Sequence, residues 1–218
     1  MNTNILVNGT KILSNKMEPL YEYLKNKLFL EKKYVPARVL DIGAWNGFWT
    51  KTCKSFWPNS HYTCIEAGEN HRKDLEVITN DVHIAVAGDT NKTVSMHLIE
   101  TRPGKIKYTK GSSLFSWNEK EHTRLVEMVT LQTLVGDNAH YNVIKQDVQG
   151  AELMIMQGSP KIFQRADYVL NEVNIDKIDT MPSYDEMNDY MNTLGFDSHT
   201  IIGDHGKQNQ VDVLYWKS

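Results

Sequence analysis

Two groups of residues in this 218-residue chain have the types and spacing for chemistry. The first is Asp41-Ile-Gly43-Ala44-Trp45-Asn46-Gly47, where the apolar run Val39-Leu40 breaks into a glycine-flanked turn and then into a helical pattern near Phe48. Gly43 and Gly47 let the backbone turn tightly and approach a ligand closely, and a helix opening there offers unpaired N–H groups. The G-x-x-x-G spacing is not the G-x-G-x-x-G of dinucleotide folds, and no Lys-Ser/Thr follows as in a phosphate-cradling loop, so a pyrophosphate is not the expected ligand. The second group is acidic. Asp147 ends the run Tyr141-Asn-Val-Ile-Lys-Gln, Glu152 opens the helical pattern after it, and Glu172 ends Tyr168-Val-Leu-Asn. Carboxylates gathered at one sheet edge can orient or deprotonate a hydroxyl, or hold a divalent cation; nothing in their spacing demands a metal, and none is predicted. His205, between Gly203 and Gly206, is the one histidine with an address near them, as a base for the acceptor or as a solvent-facing turn residue.

These residues need a frame, and the hydrophobic pattern supplies one. Tyr62 to Glu66 and Val82 to Val86 read as strands, Trp49 to Phe56 and Glu69 to Ile78 as helices, and the alternation resumes at Tyr141 with a helix from Ala151 and a strand ending at Glu172. Such alternation implies a parallel sheet with crossover helices. Pro182 and the box Ser183-x-x-Glu186 start a further helix that Gly195 ends. The tail, Ser198 to Trp216, reads as a closing antiparallel hairpin. Between residues 93 and 134 the alternation lapses into an inserted β segment, and insertions of this kind carry specificity. Residues 1–36 read as an N-terminal helical extension, its amphipathic stretch from Met17 to Leu30 lying across the sheet edge or roofing the site. One domain spans 1–218.

With 24 Lys and Arg against 27 Asp and Glu, the formal net charge of −3 gives no dominant attraction for nucleic acid. Cys53 and Cys64 cannot build a disulfide framework, the N-terminus lacks a signal-peptide pattern, and no apolar run is long enough to span a bilayer. A cytoplasmic protein with no membrane partner is expected; the oligomeric state is not legible.

The strings Val39-Leu-Asp41-Ile-Gly-Ala-Trp-Asn-Gly47, Gly111-Ser-Ser-Leu, Thr130-Leu-Gln-Thr-Leu and Ile144-Lys-Gln-Asp147-Val-Gln-Gly150-Ala-Glu152 together resemble the FkbM family of methyltransferases. Trp45 is bulkier than the family's usual residue there. The resemblance implies an α/β class I methyltransferase: a Rossmann-like sandwich with a mostly parallel seven-stranded sheet, an antiparallel C-terminal hairpin, and the β insertion between the third and fourth core strands. It implies methyl transfer from S-adenosylmethionine to a hydroxyl, often on a sugar or glycan. The alternatives are a ribose 2'-O-methyltransferase of RNA, disfavoured by the acidic balance, and a non-catalytic module that binds an adenosyl ligand. Under this resemblance the cofactor would meet Asp41, Gly43, Ala44, Trp45, Asn46 and Gly47 along its methionine and ribose, with Glu66 accepting from the ribose hydroxyls. Ala87, Gly88 and Asp89 would border the adenine, and Ser112 and Ser113 would bind the methionine carboxylate. Asp147 would serve the acceptor or the cofactor's ammonium group, with Glu152, Glu172 and His205 as further catalytic candidates. In the insertion, Lys105, Lys107 and Lys110 are either a solvated loop or an anion site, and Tyr108, Phe115 and Trp117 either pack or stack on a sugar.

Overall fold

The computed structural model describes residues 4–7, 10–13, 20–102, 105–107, 111–116, 121–178, 181–204 and 209–218. The chain opens with an antiparallel pair, β1 (Asn4–Val7) and β2 (Thr10–Leu13), and α1 (Leu20–Tyr23) continues into a π-helical stretch, Leu24–Glu31. Next come β3 (Arg38–Ile42), α2 (Phe48–Phe56), β4 (His61–Glu66), α3 (Arg72–Glu76) and β5 (Asp81–Ile84). Four strands follow without a long helix: β6 (Val86–Ala87), β7 (Lys92–Arg102), β8 (Lys105–Lys107) and β9 (Glu121–Val129). The remainder is α4 (Leu131–Val135), β10 (Val143–Gln146), α5 (Glu152–Gly158), α6 (Pro160–Gln164), β11 (Tyr168–Asn174), α7 (Tyr184–Thr193), β12 (Ser198–Asp204) and β13 (Gln210–Trp216).

Seven strands form the main sheet in the order β12-β13-β11-β10-β3-β4-β5. The five from β11 to β5 are parallel, and β13 runs antiparallel to both β11 and β12. The order reverses between β3 and β10, and the crevice outside the carboxyl ends at such a reversal is where open α/β sheets bind ligands. Burial on both faces explains why β10 and β11 have every residue buried. On one face Ile155, Met156, Phe163, Met187 and Met191 pack on Leu40, Ile144, Val169 and Val213. On the other, Leu24, Leu28, Trp49, Cys53 and Phe56 pack on Val39, Val143, Leu170 and Leu214. Ser183 and Glu186 form the reciprocal capping box that opens α7.

Four departures from the sequence pattern have physical causes. The N-terminal 36 residues are not wholly helical, because the apolar runs Ile5-Leu6-Val7 and Lys11-Ile12-Leu13 pair in register and flank Asn8-Gly9, a dipeptide favoured in two-residue hairpins. The helix after them does not roof the ligand crevice: Leu24 and Leu28 bury themselves beside α2 on the sheet face, in one cluster with Ile202 of the edge strand β12. The expected strand Val82 to Val86 divides at Ala85, whose N–H donates to Glu66 O at 2.9 Å; Val86–Ala87 then leaves the main sheet and pairs with β9 in a second sheet of order β6-β9-β7-β8. The inserted β segment thus starts earlier than residue 93. The inserted β segment expected to reach residue 134 ends at Val129, because the Thr130 side chain accepts from Thr133 N and caps α4. No helix among the described residues is long and apolar enough to cross a membrane.

Candidate active site

A cavity of about 390 Å³ opens along the carboxyl edge of the main sheet, at the strand-order reversal. Its wall combines Gly43, Ala44 and Trp45 after β3, Glu66 at the end of β4, Ala85 to Ala87 beyond β5, and Asp147 to Gln149 after β10. Ser112, Trp49 from α2 and Asp212 from β13 complete it. The volume and the mixture of apolar walls with a few converging polar groups are those of a small-molecule site.

The loop after β3 is shaped by its neighbours. Gly43 and Gly47 both have φ of 75°, but the close approach each permits is to protein. A Cβ on Gly43 would lie 1.9 Å from the carbonyl oxygen of Asp147, and one on Gly47 would lie 2.3 Å from Ile78 Cδ1. The glycines therefore serve the packing of one ligand loop against another and of the loop on α3, and Gly43 also lines the cavity. Gly43 and Ala44 N–H donate to Ile65 O at 2.9 and 3.1 Å. Trp45 adopts φ of 48°, a conformation costing a non-glycine residue about 1–3 kcal/mol, and its N–H donates to Glu66 Oε2 at 2.8 Å. Its ring stands edge-on to His71 at the cavity mouth. Asn46 Oδ1 accepts from Phe48 N at 3.2 Å just before α2, and neither Asn46 nor Gly47 lines the cavity.

Glu66 is half-buried, with Oε1 accepting from Gly68 N and Oε2 from Trp45 N, both at 2.8 Å. Burial raises its pKa above the ordinary carboxylate value, against the two backbone hydrogen bonds that favour its charge. Behind it, Asp41 is 1% exposed and does not reach the cavity wall. Asp41 Oδ2 accepts from Thr50 Oγ1 at 2.6 Å, and Oδ1 faces Lys145 Nζ at 3.2 Å.

Lys145 was not singled out by sequence reasoning, although a lysine inside an otherwise apolar buried strand is a readable signal. It lines the cavity, is 6% exposed, donates to Gly43 O at 3.2 Å, and lies 3.5 Å from Asp147 Oδ2 and 6.0 Å from the Trp49 ring centre. Burial opposes its charge, but Asp41 and Asp147 more than compensate and hold its pKa above that of an ordinary lysine. The ammonium thereby ties β3, the glycine loop and the loop after β10 together.

Asp147 has a part-exposed carboxylate whose Oδ1 accepts from Gln149 Nε2 at 3.0 Å. Gln149 Nε2 also donates to Glu172 Oε2 at 2.8 Å, and its carbonyl accepts from Ser113 Oγ at 2.7 Å. Like Trp45, Gln149 is a non-glycine residue with positive φ, 58°, on the cavity wall. Gln149 too was missed in the sequence. Glu172 is 8% exposed and sits directly across the strand pair from Asp212, which lines the cavity. Glu152, 2% exposed, lies off the cavity wall, where Oε1 accepts from Val148 N at 2.9 Å and Oε2 from Gly150 N at 3.0 Å. Burial, aided by the charge of Asp147, pushes its pKa up to about 7 against those hydrogen bonds. It braces the loop that carries Asp147 and Gln149.

Of the remaining expected contacts, Ala87 and Ser112 line the cavity. Gly88 and Asp89 lie behind it: Gly88 is packed under Met128, and Asp89 pairs with Lys92 at 3.3 Å. Ser113 is fully buried, its hydroxyl spent on Gln149 O and Phe115 N, so it secures the cavity wall without lining it. Phe115 packs against Gly150 and the core. His205, Tyr108, Lys110 and Trp117 lie outside the described residues, as do the side chains of Lys105 and Lys107. Among the described residues no group of three or more His, Cys, Asp or Glu is arranged to hold a metal ion.

Comparison with known proteins agrees with the fold. The chain resembles the crystal structure of methyltransferase FkbM from Methylobacillus flagellatus KT, with a TM-score of 0.57 at 14% identity over 92% of this chain and 48% of that one. This chain thus spans about half the length of that relative. Precorrin-6y C5,15-methyltransferase from Geobacter metallireducens GS-15 gives a TM-score of 0.48 at 12% identity, covering 94% of this chain and 93% of that one. The plantazolicin methyltransferase BpumL, solved in complex with SAH, gives 0.48 at 9% identity over 91% and 82%. At such identities the likeness is one of fold. No curated protein matches the chain. A family model described as the methyltransferase FkbM domain matches residues 41–198, from the buried aspartate of β3 through the acidic loop to the closing hairpin, and the chain belongs to that family of methyltransferases.

Proposed function

We propose that this chain transfers a methyl group from S-adenosylmethionine to a hydroxyl of a small-molecule acceptor, a sugar or glycan. The observation that carries this reading is one continuous cavity joining Glu66 and the Gly43 to Trp45 loop to Asp147, Gln149 and Asp212. The residues present suit the cofactor. A carboxylate has about four lone-pair sites, of which Glu66 commits two to Gly68 and Trp45, leaving acceptor capacity for two ribose hydroxyls. Ala85, Val86 and Ala87 offer a small, apolar wall for a flat base. Asp147 and the aromatic rings of Phe48 and Trp49 line the other side, where a sulfonium cation is favoured.

When bound, the cofactor supplies an electrophilic methyl whose carbon–sulfur bond breaks towards sulfur as the acceptor oxygen takes the carbon. The chain's own part is positional and protonic. Asp147, held by Lys145 and Gln149, orients the acceptor hydroxyl and receives its proton. Glu172 steadies Gln149, and Glu152 fixes the backbone between them. Trp45 and Phe48 at the mouth limit the access of water.

Titration calorimetry with S-adenosylhomocysteine tests the cofactor half of this reading. The wild type binds, and Glu66→Ala loses about 1.5–3 kcal/mol of affinity, the range for hydrogen bonds to a charged group. Unchanged affinity in that variant overturns the assignment of Glu66.

A further inference from the structure

We propose that Trp49 is a catalytic residue: its indole N–H donates to the reacting oxygen of the acceptor while Asp147 takes that oxygen's proton. This rests on the methyl-transfer reading above. Trp49 stands in the first turn of α2, lines the cavity and is 8% exposed, and its Nε1 is a buried donor with no partner among the described residues. Trp57, in the same apolar cluster, shows the contrast: it is fully buried and donates from Nε1 to Tyr34 O at 2.9 Å. Buried donors are nearly always satisfied, so the Trp49 N–H calls for an oxygen that a ligand brings. A phenylalanine would fill this part of the cluster without stranding a donor.

The position of Trp49 favours the acceptor over the adenosyl group. Lys145 Nζ lies 6.0 Å from the Trp49 ring centre and 3.5 Å from Asp147 Oδ2. Lys145 also pairs across the sheet with Leu170, which shares the apolar cluster of Trp49 and lines the cavity with it. Trp49 therefore sits toward β10 and β11. Glu66, the residue suited to the ribose, ends β4, three strand positions or ~14 Å from β11 by ordinary strand spacing. A part-exposed carboxylate and an unspent N–H thus meet at the end of the cavity away from Glu66.

An alcohol answers both groups, because its oxygen carries one hydrogen and two lone pairs. The hydrogen goes to Asp147. One lone pair forms the bond to the methyl carbon as the carbon–sulfur bond breaks towards sulfur, and the other accepts from Trp49. The products are a methyl ether, the demethylated cofactor and a proton on Asp147. Negative charge grows on the oxygen as its proton leaves, so the bond from Trp49 is stronger in the transition state than before it, which is what makes it catalytic. A primary amine has a single lone pair, and spending it on the methyl group leaves the Trp49 N–H unanswered. The pair accordingly selects oxygen over nitrogen.

The test uses the full chain with its tryptophans labelled by nitrogen-15, the Trp49 indole resonance being identified by its loss in Trp49→Phe. The chain is loaded with S-adenosylhomocysteine and titrated with methyl glycosides of glucose, galactose, mannose and rhamnose, and labelled methyl transfer from S-adenosylmethionine to each is followed in parallel. The Trp49 resonance is expected to hold its place when S-adenosylhomocysteine binds and to move downfield when an accepted sugar is added. Trp49→Phe is expected to lower turnover of that sugar about a hundredfold, the scale of one lost donor to a developing oxyanion, with affinity for S-adenosylhomocysteine unchanged. Replacing Trp49 by benzothienylalanine, which keeps the bicyclic shape and has sulfur in place of the N–H, gives the same loss without a packing defect. A resonance that moves with S-adenosylhomocysteine alone assigns the N–H to the cofactor's carboxylate and overturns the proposal. So does a resonance that no sugar of the panel moves, or turnover unaltered in both variants; in each case the methyl-transfer reading stands. Failure of the wild type to bind S-adenosylhomocysteine removes both.

Discussion

Asp147 and Lys145 divide the work of the acidic loop between reaction and support, and each division can be measured. Asp147→Asn keeps shape and the contact with Gln149 while removing charge. Turnover should fall roughly a hundredfold or more, the scale of a lost general base, with affinity for S-adenosylhomocysteine nearly unchanged. Parallel loss of both in kinetics and calorimetry would move Asp147 into the cofactor shell. Lys145→Met should act on stability first, because it strands Asp41, 1% exposed, without its counter-ion. Urea denaturation should register a loss of about 3–5 kcal/mol, largely recovered when Asp41→Asn is added. The sequence displayed Asp147 and Glu66 because an acid that ends an apolar run has nowhere to go but the sheet edge. Lys145 and Gln149 escaped notice because their roles depend on partners distant in sequence: Asp41 for the first, Glu172 and Ser113 for the second.

Among the elements, the short connection from β10 to α5 is braced by a group that titrates near neutral pH. Glu152, at the first position of α5, accepts from two N–H groups of that connection and has its pKa pushed up to about 7. A group whose folded pKa lies above its unfolded value of about 4.3 contributes stability that is fully present below the unfolded pKa and is lost as pH rises through the folded one. The wild type should therefore lose on the order of 1–3 kcal/mol from this residue between pH 5 and pH 8. Glu152→Gln should flatten that dependence, and denaturation curves at the two pH values provide the comparison. Most elements were legible from periodicity: β4, α2, α7 and the closing hairpin fall where the pattern put them. The split at Ala85 was not, since Val82 to Val86 is one apolar run, and only pairing with β9 draws Val86 and Ala87 into another sheet. Residues 1–36 misled because the Asn8-Gly9 hairpin signal was overshadowed by the longer helical pattern after it.

For the whole molecule, the arrangement of strands in space differs from their order in the chain, and this sets a timetable. A polypeptide leaves the ribosome from its N-terminus, so β3, β4 and β5 are available to one another early. The other edge of β3 waits for β10, roughly a hundred residues later, and contacts at such separation form slowly. Until then Val39, Leu40 and Ile42 border an open strand edge, and Asp41 has no ammonium beside it. Nascent chains stalled before residue 143 should be cut within β3 by brief proteolysis, whereas chains extended past β13 should resist; equal sensitivity would show that β10 contributes nothing to the order of assembly. The residue that neutralises the site from beneath thus also lies on the strand that closes the open edge of β3, and a half-made chain owns the ligand loop without yet owning a place for the ligand.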